Sequence, residues 1–261
     1  MKLDTVYRKA IAAGIANDPR GAEAVRRLLD DERTRSEKLK EDERDAWEAD
    51  RLFNPYADSR VLTGDPATEV KKVIVGIDID AAEVVLAHTL NRDRAGRIDL
   101  VISHHPQGIA LAQLPDVMRV QSDMLAAYGV NISVAEQLMD KRIGEVERRV
   151  LPANHDRAVD AARLLGLPLM CLHTPADNCV NTYLATLFER AKPARLKDLV
   201  DLLKGIPEYR AAVRRMAGPK IVSGSDNGHC GKISVEMTGG TEGAKTIYES
   251  YAAAGVSTIV G

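Results

Sequence analysis

The chain has 261 residues, 45% of them hydrophobic and 28% charged, enough for one large α/β unit or two smaller ones. A formal net charge of −2 argues against a nucleic-acid or membrane surface, and no uncharged apolar run reaches the ~18 residues of a spanning helix. Cys171, Cys179 and Cys230 form no CxxC pair, and MKLDTVYRKAIAAG lacks the apolar stretch of a signal peptide, so a reduced, cytoplasmic setting is expected.

Leu3, Val6, Tyr7, Ala10 and Ile11 fall at helical spacing and predict a helix over 3–15. Asn17-Asp18-Pro19 then reads as a turn, with Asp18 as N-cap and Pro19 opening a second helix. That helix (Ala22, Val25, Leu28, Leu29) loses its apolar face after Asp30, and the charged stretch to Arg51 reads as a solvated face. Residues 1–55 are therefore expected to form a helical extension without chemistry of their own.

The character changes after Phe53-Asn54-Pro55. The β-branched run Val70–Asp78 predicts a buried strand, Ala81–Leu90 a helix, and Ile98–Ser103 a second strand. This is the unit that builds parallel sheets through right-handed crossovers. Later, 156–165 reads as helix, Leu167–Leu172 as strand and 179–190 as helix. Lys232–Met237, a Gly-rich turn, the helix 244–254 and Val256–Val260 repeat the unit. The expected class is α/β in two lobes, 56–178 and 179–261, behind the extension.

Ligands in open α/β sheets bind where strands end and loops converge. Three polar clusters are candidates: Ser103-His104-His105-Pro106, His173-Thr174-Pro175-Ala176-Asp177-Asn178, and the loop 226–231 with His229. Imidazoles with a carboxylate form the ligand set of Zn, Fe, Mn or Co. Consecutive strand residues point to opposite faces, so His104 and His105 serve one metal only if the strand has bent, or else serve two. Pro106, which cannot continue a ladder, favours a bend. The bland alternative makes one a hydrogen-bonded core histidine and the other an exposed one.

Other signals are weaker. Gly239–Thr246 resembles a phosphate loop, but Ala244 separates Gly243 from Lys245, so a tight turn is the better reading. Asp80 reads as the cap of the following helix rather than as an acid or base, and Asp78 beside it has no assigned task. His88 and His155 read as structural or exposed, and the cysteines as structural rather than metal-binding.

In chain order, "VKKVIVGIDIDAAEVVLAHTL…IDLVISHHPQG" and "LHTPADNCVN" resemble the Nif-three-like proteins (NGG-one-interacting factor three), also described as GTP cyclohydrolase 1 type 2 homologues. LTGDPATEV at 62–70 is similar to the family's lead-in, and the resemblance runs from about Leu62 to the end. It implies a Nif-three-like fold of two α/β lobes per subunit, a hexameric ring of identical subunits, and two divalent ions (Zn, Fe or Mn) in each subunit. His104, His105 and Asp177 would be the ligands, with Asp177 able to bridge both ions, and His173 a neighbouring group and the candidate catalytic residue. The implied activity is metal-dependent hydrolysis of a nucleotide or other phosphorylated small molecule. A non-enzymatic metal-binding or partner-binding scaffold is the alternative.

The chain departs from the family pattern at two points. The family has a further His and Glu just after its last strand, here ending at Ile259-Val260-Gly261, so either the sequence continues or the ligand set is incomplete. His229 and Glu236 are the substitutes within the chain, but they precede the last strand–helix unit rather than follow it. The family's Thr-Gly-Glu reads Thr238-Gly239-Gly240.

Overall fold

The computed structural model describes residues 1–45, 47–93 and 97–261. Two helices, α1 (Leu3–Ala16) and α2 (Ala22–Glu37), are followed by the short α3 (Glu41–Arg44) and a 3-10 turn at Ala49–Leu52. Then come β1 (Arg60–Thr63), β2 (Val73–Gly76), α4 (Ala81–Asp93) and β3 (Leu100–Ser103). The helices α5 (Gly108–Ala112), α6 (Leu114–Val117), α7 (Arg119–Ala127), α8 (Ile132–Val150) and α9 (Arg157–Leu164) lead to β4 (Leu169–Cys171). The chain continues through α10 (Thr174–Ala191), α11 (Leu196–Gly205), α12 (Pro207–Arg214), β5 (Lys232–Val235), α13 (Ile247–Ala253) and β6 (Val256–Val260).

Four strands form one sheet in the order β1-β4-β3-β2, with β2, β3 and β4 parallel and β1 antiparallel at the edge. Alternation along β3 and β4 sends Val101 and Leu169 to one face, against Val84, Ala87, Val159 and Ala162 of α4 and α9. Leu100 and Met170 face the other way, onto Leu3, Tyr7 and Ile11 of α1. The helix spacing read at 3–15 is thus a core face: Leu3, Tyr7 and Ile11 are all buried.

The parallel pair β5–β6 forms a second sheet. Val235 packs with Leu184 and Phe188 of α10 and Leu199 and Leu203 of α11. Val256 packs on the opposite side with Leu125 of α7, Met139 of α8 and Tyr251 of α13. The boundary expected at residue 178 falls inside α10, whose first turn abuts β4 while its second half lies on β5. Among the described residues no helix is long and apolar enough to cross a membrane.

Three local expectations are corrected. Asp18 does not cap α2: Gly21 occupies that position, and the buried Asp18 carboxylate pairs with Arg20 at 2.8 Å and accepts the Tyr56 hydroxyl at 2.9 Å. The strand over 70–78 is only partly buried. β2 is an edge strand: Val70 is buried with Leu3 and Tyr7 and Ile74 is half-buried, but Val73, Val75 and Ile77 are exposed. The helix expected from 179 begins at Thr174 with Pro175 in its first turn, so Asp177 lies on a helix rather than in a loop.

Candidate metal centre

The carboxyl ends of three parallel strands supply the site. Beyond β3 the backbone stays tied on both sides: His104 N–H donates to Gly76 O at 2.9 Å and His105 N–H to Ile77 O at 2.8 Å, while Leu172 N–H donates to Ser103 O at 2.9 Å. The chain bends at His104 and His105, and the Ser103 hydroxyl donates back to His105 O at 2.6 Å. This bend lets adjacent histidines face one site.

His173, between β4 and α10, completes the cluster. One ligand atom from each of His104, His105 and His173 can be chosen so that all lie within 4.8 Å of one another. Asp177, one turn into α10, places Oδ1 3.4 Å from His104 Nε2 and Oδ2 3.8 Å from His173 Nε2. His173 is 7% exposed, whereas the side chain of His105 is 47% exposed, so the site is open on one side.

The outer nitrogen of each ring has its own partner. His104 Nδ1 faces Leu172 O at 3.2 Å, His105 Nδ1 the carboxylate of Asp78 at 2.6 Å, and His173 Nδ1 that of Asp58 at 2.9 Å. With Nδ1–H donated to these acceptors, each Nε2 keeps a lone pair for the site. Three such nitrogens beside a carboxylate fit a divalent transition metal.

The electrostatics are those of a buried centre. Burial, reinforced by His173 and His105, holds the His104 imidazole below the ordinary histidine range, against the opposing carbonyl of Leu172. Burial also works against a charged His173, but the hydrogen bond and charge of Asp58, with Asp177, outweigh it and raise its pKa. Burial pushes the Asp177 carboxyl up to about 7; His173 opposes the shift and the Asp58 charge adds to it. A bound cation would relieve the cost of ionising Asp177.

The structure thus gathers His104, His105, His173 and Asp177 in one place. Asp78 touches His105, and Asp80 accepts from Ala81 N–H at 2.6 Å as the cap of α4. The 226–231 loop precedes β5 rather than ending a strand, and His229 pairs with Arg195 in an isolated bridge. Glu236 accepts from the Ser234 and Tyr251 hydroxyls in the second sheet. His155 Nε2 is bonded to Val150 O at 2.8 Å, a structural contact. Cys171 is fully buried, and burial pushes its thiol up to about 11.

Sequence reasoning missed Asp58 and Ser59. Both are fully buried beneath His173, and the Ser59 hydroxyl accepts His173 N–H at 2.9 Å. Their one signal was an Asp-Ser pair just before an edge strand, which no periodicity distinguishes from a solvated turn.

A crystal structure of a NIF3 superfamily protein from Sphaerobacter thermophilus is similar to this chain, with a TM-score of 0.69 and 31% identity over 78% of this chain and 72% of that one. The chain belongs to the NIF3 superfamily. The resemblance read from the His-His-Pro and His-Thr-x-x-Asp motifs and the expected α/β class both hold. No family model and no curated protein matches the chain.

Proposed function

We propose that the centre binds divalent transition-metal ions at His104, His105 and Asp177, and that the protein hydrolyses a nucleotide or another phosphorylated small molecule there. The observation that carries metal binding is the saturation of all three Nδ1 atoms by acceptors, which leaves three Nε2 lone pairs beside one carboxylate. Adjacent histidines, with the Asp177 carboxylate between two imidazoles, would hold a pair of ions. Bound ions would lower the pKa of a coordinated water and polarise a phosphoryl oxygen.

The chain's own residues do the rest. His104 and His105 hold their rings from a bend tied to β2 and β4, and Asp177 brings negative charge to the first turn of α10, where the helix dipole favours it. His173, backed by Asp58, turns Nε2 toward Asp177 on the floor of the site, where it would serve as a further ligand beside His104, His105 and Asp177. The half-exposed His105 marks the side from which substrate enters. A ring of identical subunits belongs to the same proposal. It is supported by the bare apolar face of Val73, Val75 and Ile77 on the β2 edge, which a second copy would cover.

Elemental analysis of untagged protein, beside the His104→Ala/His105→Ala/Asp177→Ala variant, tests the reading. About two equivalents of a transition metal per chain, lost in the variant, are expected, followed by phosphate release in a nucleotide and phosphoester screen. Metal without turnover would favour a metal-binding scaffold, and no metal after reconstitution with Zn²⁺, Mn²⁺ and Fe²⁺ would sink the proposal.

A further inference from the structure

We propose that Asp58 is the positioning residue of this centre. It fixes the His173 imidazole with Nδ1–H turned away and Nε2 turned into the site. The inference rests on the metal-binding reading above and adds a residue that no sequence motif pointed to.

The three histidine anchors are unequal. His104 leans on a neutral carbonyl at 3.2 Å, and His105 on Asp78, whose side chain is 83% exposed. Water competes for an exposed carboxylate, so that contact is weak. Asp58 has no exposure at all. Its carboxylate meets His173 Nδ1 at 2.9 Å and accepts the Thr174 hydroxyl at 2.6 Å and the Ser59 hydroxyl at 3.1 Å. In low dielectric, with no water to take its place, such a bond holds both the ring plane and the tautomer.

Asp58 is itself held. The Ser59 carbonyl accepts from the Tyr7 hydroxyl at 3.1 Å, Asn54 Nδ2 at 2.8 Å and the buried Arg60 guanidinium at 3.1 Å. The Arg60 guanidinium also donates to Tyr56 O at 2.9 Å. The segment 54–60 is therefore locked to α1 by its own backbone. A carboxylate on so fixed a base can set a ring to within the few tenths of an ångström that a ligand or an acid–base group requires.

Calorimetric titration of Zn²⁺ into metal-stripped full chain, with ¹⁵N NMR of the imidazoles in the metal-free protein, tests the inference. Asp58→Ala is expected to weaken Zn²⁺ binding by about 10–100-fold. Asp58→Asn, which keeps the shape and one acceptor, should fall between it and the wild type. Asp78→Asn should change binding by less than about threefold, because its carboxylate is solvated. Thr174→Val removes a bond to Asp58 but none to His173, so it should lower Tm and leave affinity within about threefold. His173 in the wild type should give the Nδ1–H tautomer signature, replaced by a mixture in Asp58→Ala.

Should Asp58→Ala fail to fold, Asp58→Asn carries both readouts. Affinity unchanged in the Asp58 variants, equal losses at Asp58 and Asp78, or a wild-type His173 protonated at Nε2 would each overturn the inference. If the wild type takes up no Zn²⁺, the metal reading fails, while the tautomer spectrum still decides whether Asp58 sets the ring.

Discussion

The chain contains the same local unit twice, and one copy carries the candidate site. Both β2–α4–β3 and β5–α13–β6 are parallel pairs joined across a helix. At the end of the first, β4 lies alongside and delivers His173 next to His104 and His105, leaving Nε2 atoms free. At the end of the second, the polar groups bond mostly to one another. Glu236 takes the Ser234 and Tyr251 hydroxyls, the Thr238 hydroxyl donates to Asn178 at 2.6 Å, and Gln121 donates to Gly239 O and Thr241 O. A strand–helix–strand unit does not make a site. Convergence with a third strand end does, together with donor capacity that the fold leaves unused.

The largest effect is expected where α1 meets α10, beside the first unit. A Cβ on Gly14 would lie 2.6 Å from Pro175 Cα and 3.2 Å from the Tyr56 ring. Gly14→Ala must push α1 away from the turn that carries Asp177. Overpacking of this kind costs about 1–3 kcal/mol, read as a fall in Tm, and the strain should also weaken metal binding. Full destabilisation with unaltered metal affinity would show that the site is not coupled to this helix contact.

The Asp177 carboxyl is raised to about 7 in the folded, metal-free chain, while an unfolded aspartate titrates near about 3.9. The folded state therefore binds the extra proton between those values, and metal-free stability falls as pH rises from about 4 through 7, then levels off. Asp177→Asn removes this term. At pH 8 half of the shift alone amounts to about 2 kcal/mol, so the metal-free variant should melt higher than the wild type while binding metal poorly. At pH 4 the two should melt together. A variant that melts lower at pH 8 would contradict the burial argument.

Much of the site was legible because its chemistry is local. His104-His105-Pro106 announces a bent strand end, and His173 and Asp177 sit one helical turn apart. What stayed hidden was long-range or depended on burial. Asp58 meets a histidine 115 residues away, and no periodicity marks it. Asp18 followed turn chemistry that looks only at neighbours, whereas its carboxylate is claimed by Tyr56, 38 residues on. The run Val70–Asp78 read as buried because β-branched residues suit edge and central strands alike. Neighbour order decides between these, and order belongs to the whole sheet.

The smallest effect is expected at the glycine turn beyond the second strand pair. Gln121 Nε2 donates to Gly239 O at 2.6 Å and Thr241 O at 2.7 Å, so it pins the glycine turn that otherwise looks like an anion loop. Among the described residues its buried Oε1 has no hydrogen-bond partner, a cost that truncation would remove. Gln121→Ala therefore strands two carbonyls but relieves one orphan acceptor, for a net loss of about 1 kcal/mol. Metal affinity and inorganic phosphate binding should match the wild type, since the turn's groups serve only the fold. If the variant instead loses metal or phosphate affinity with Tm unchanged, the second unit has a ligand of its own and the two strand ends are alike.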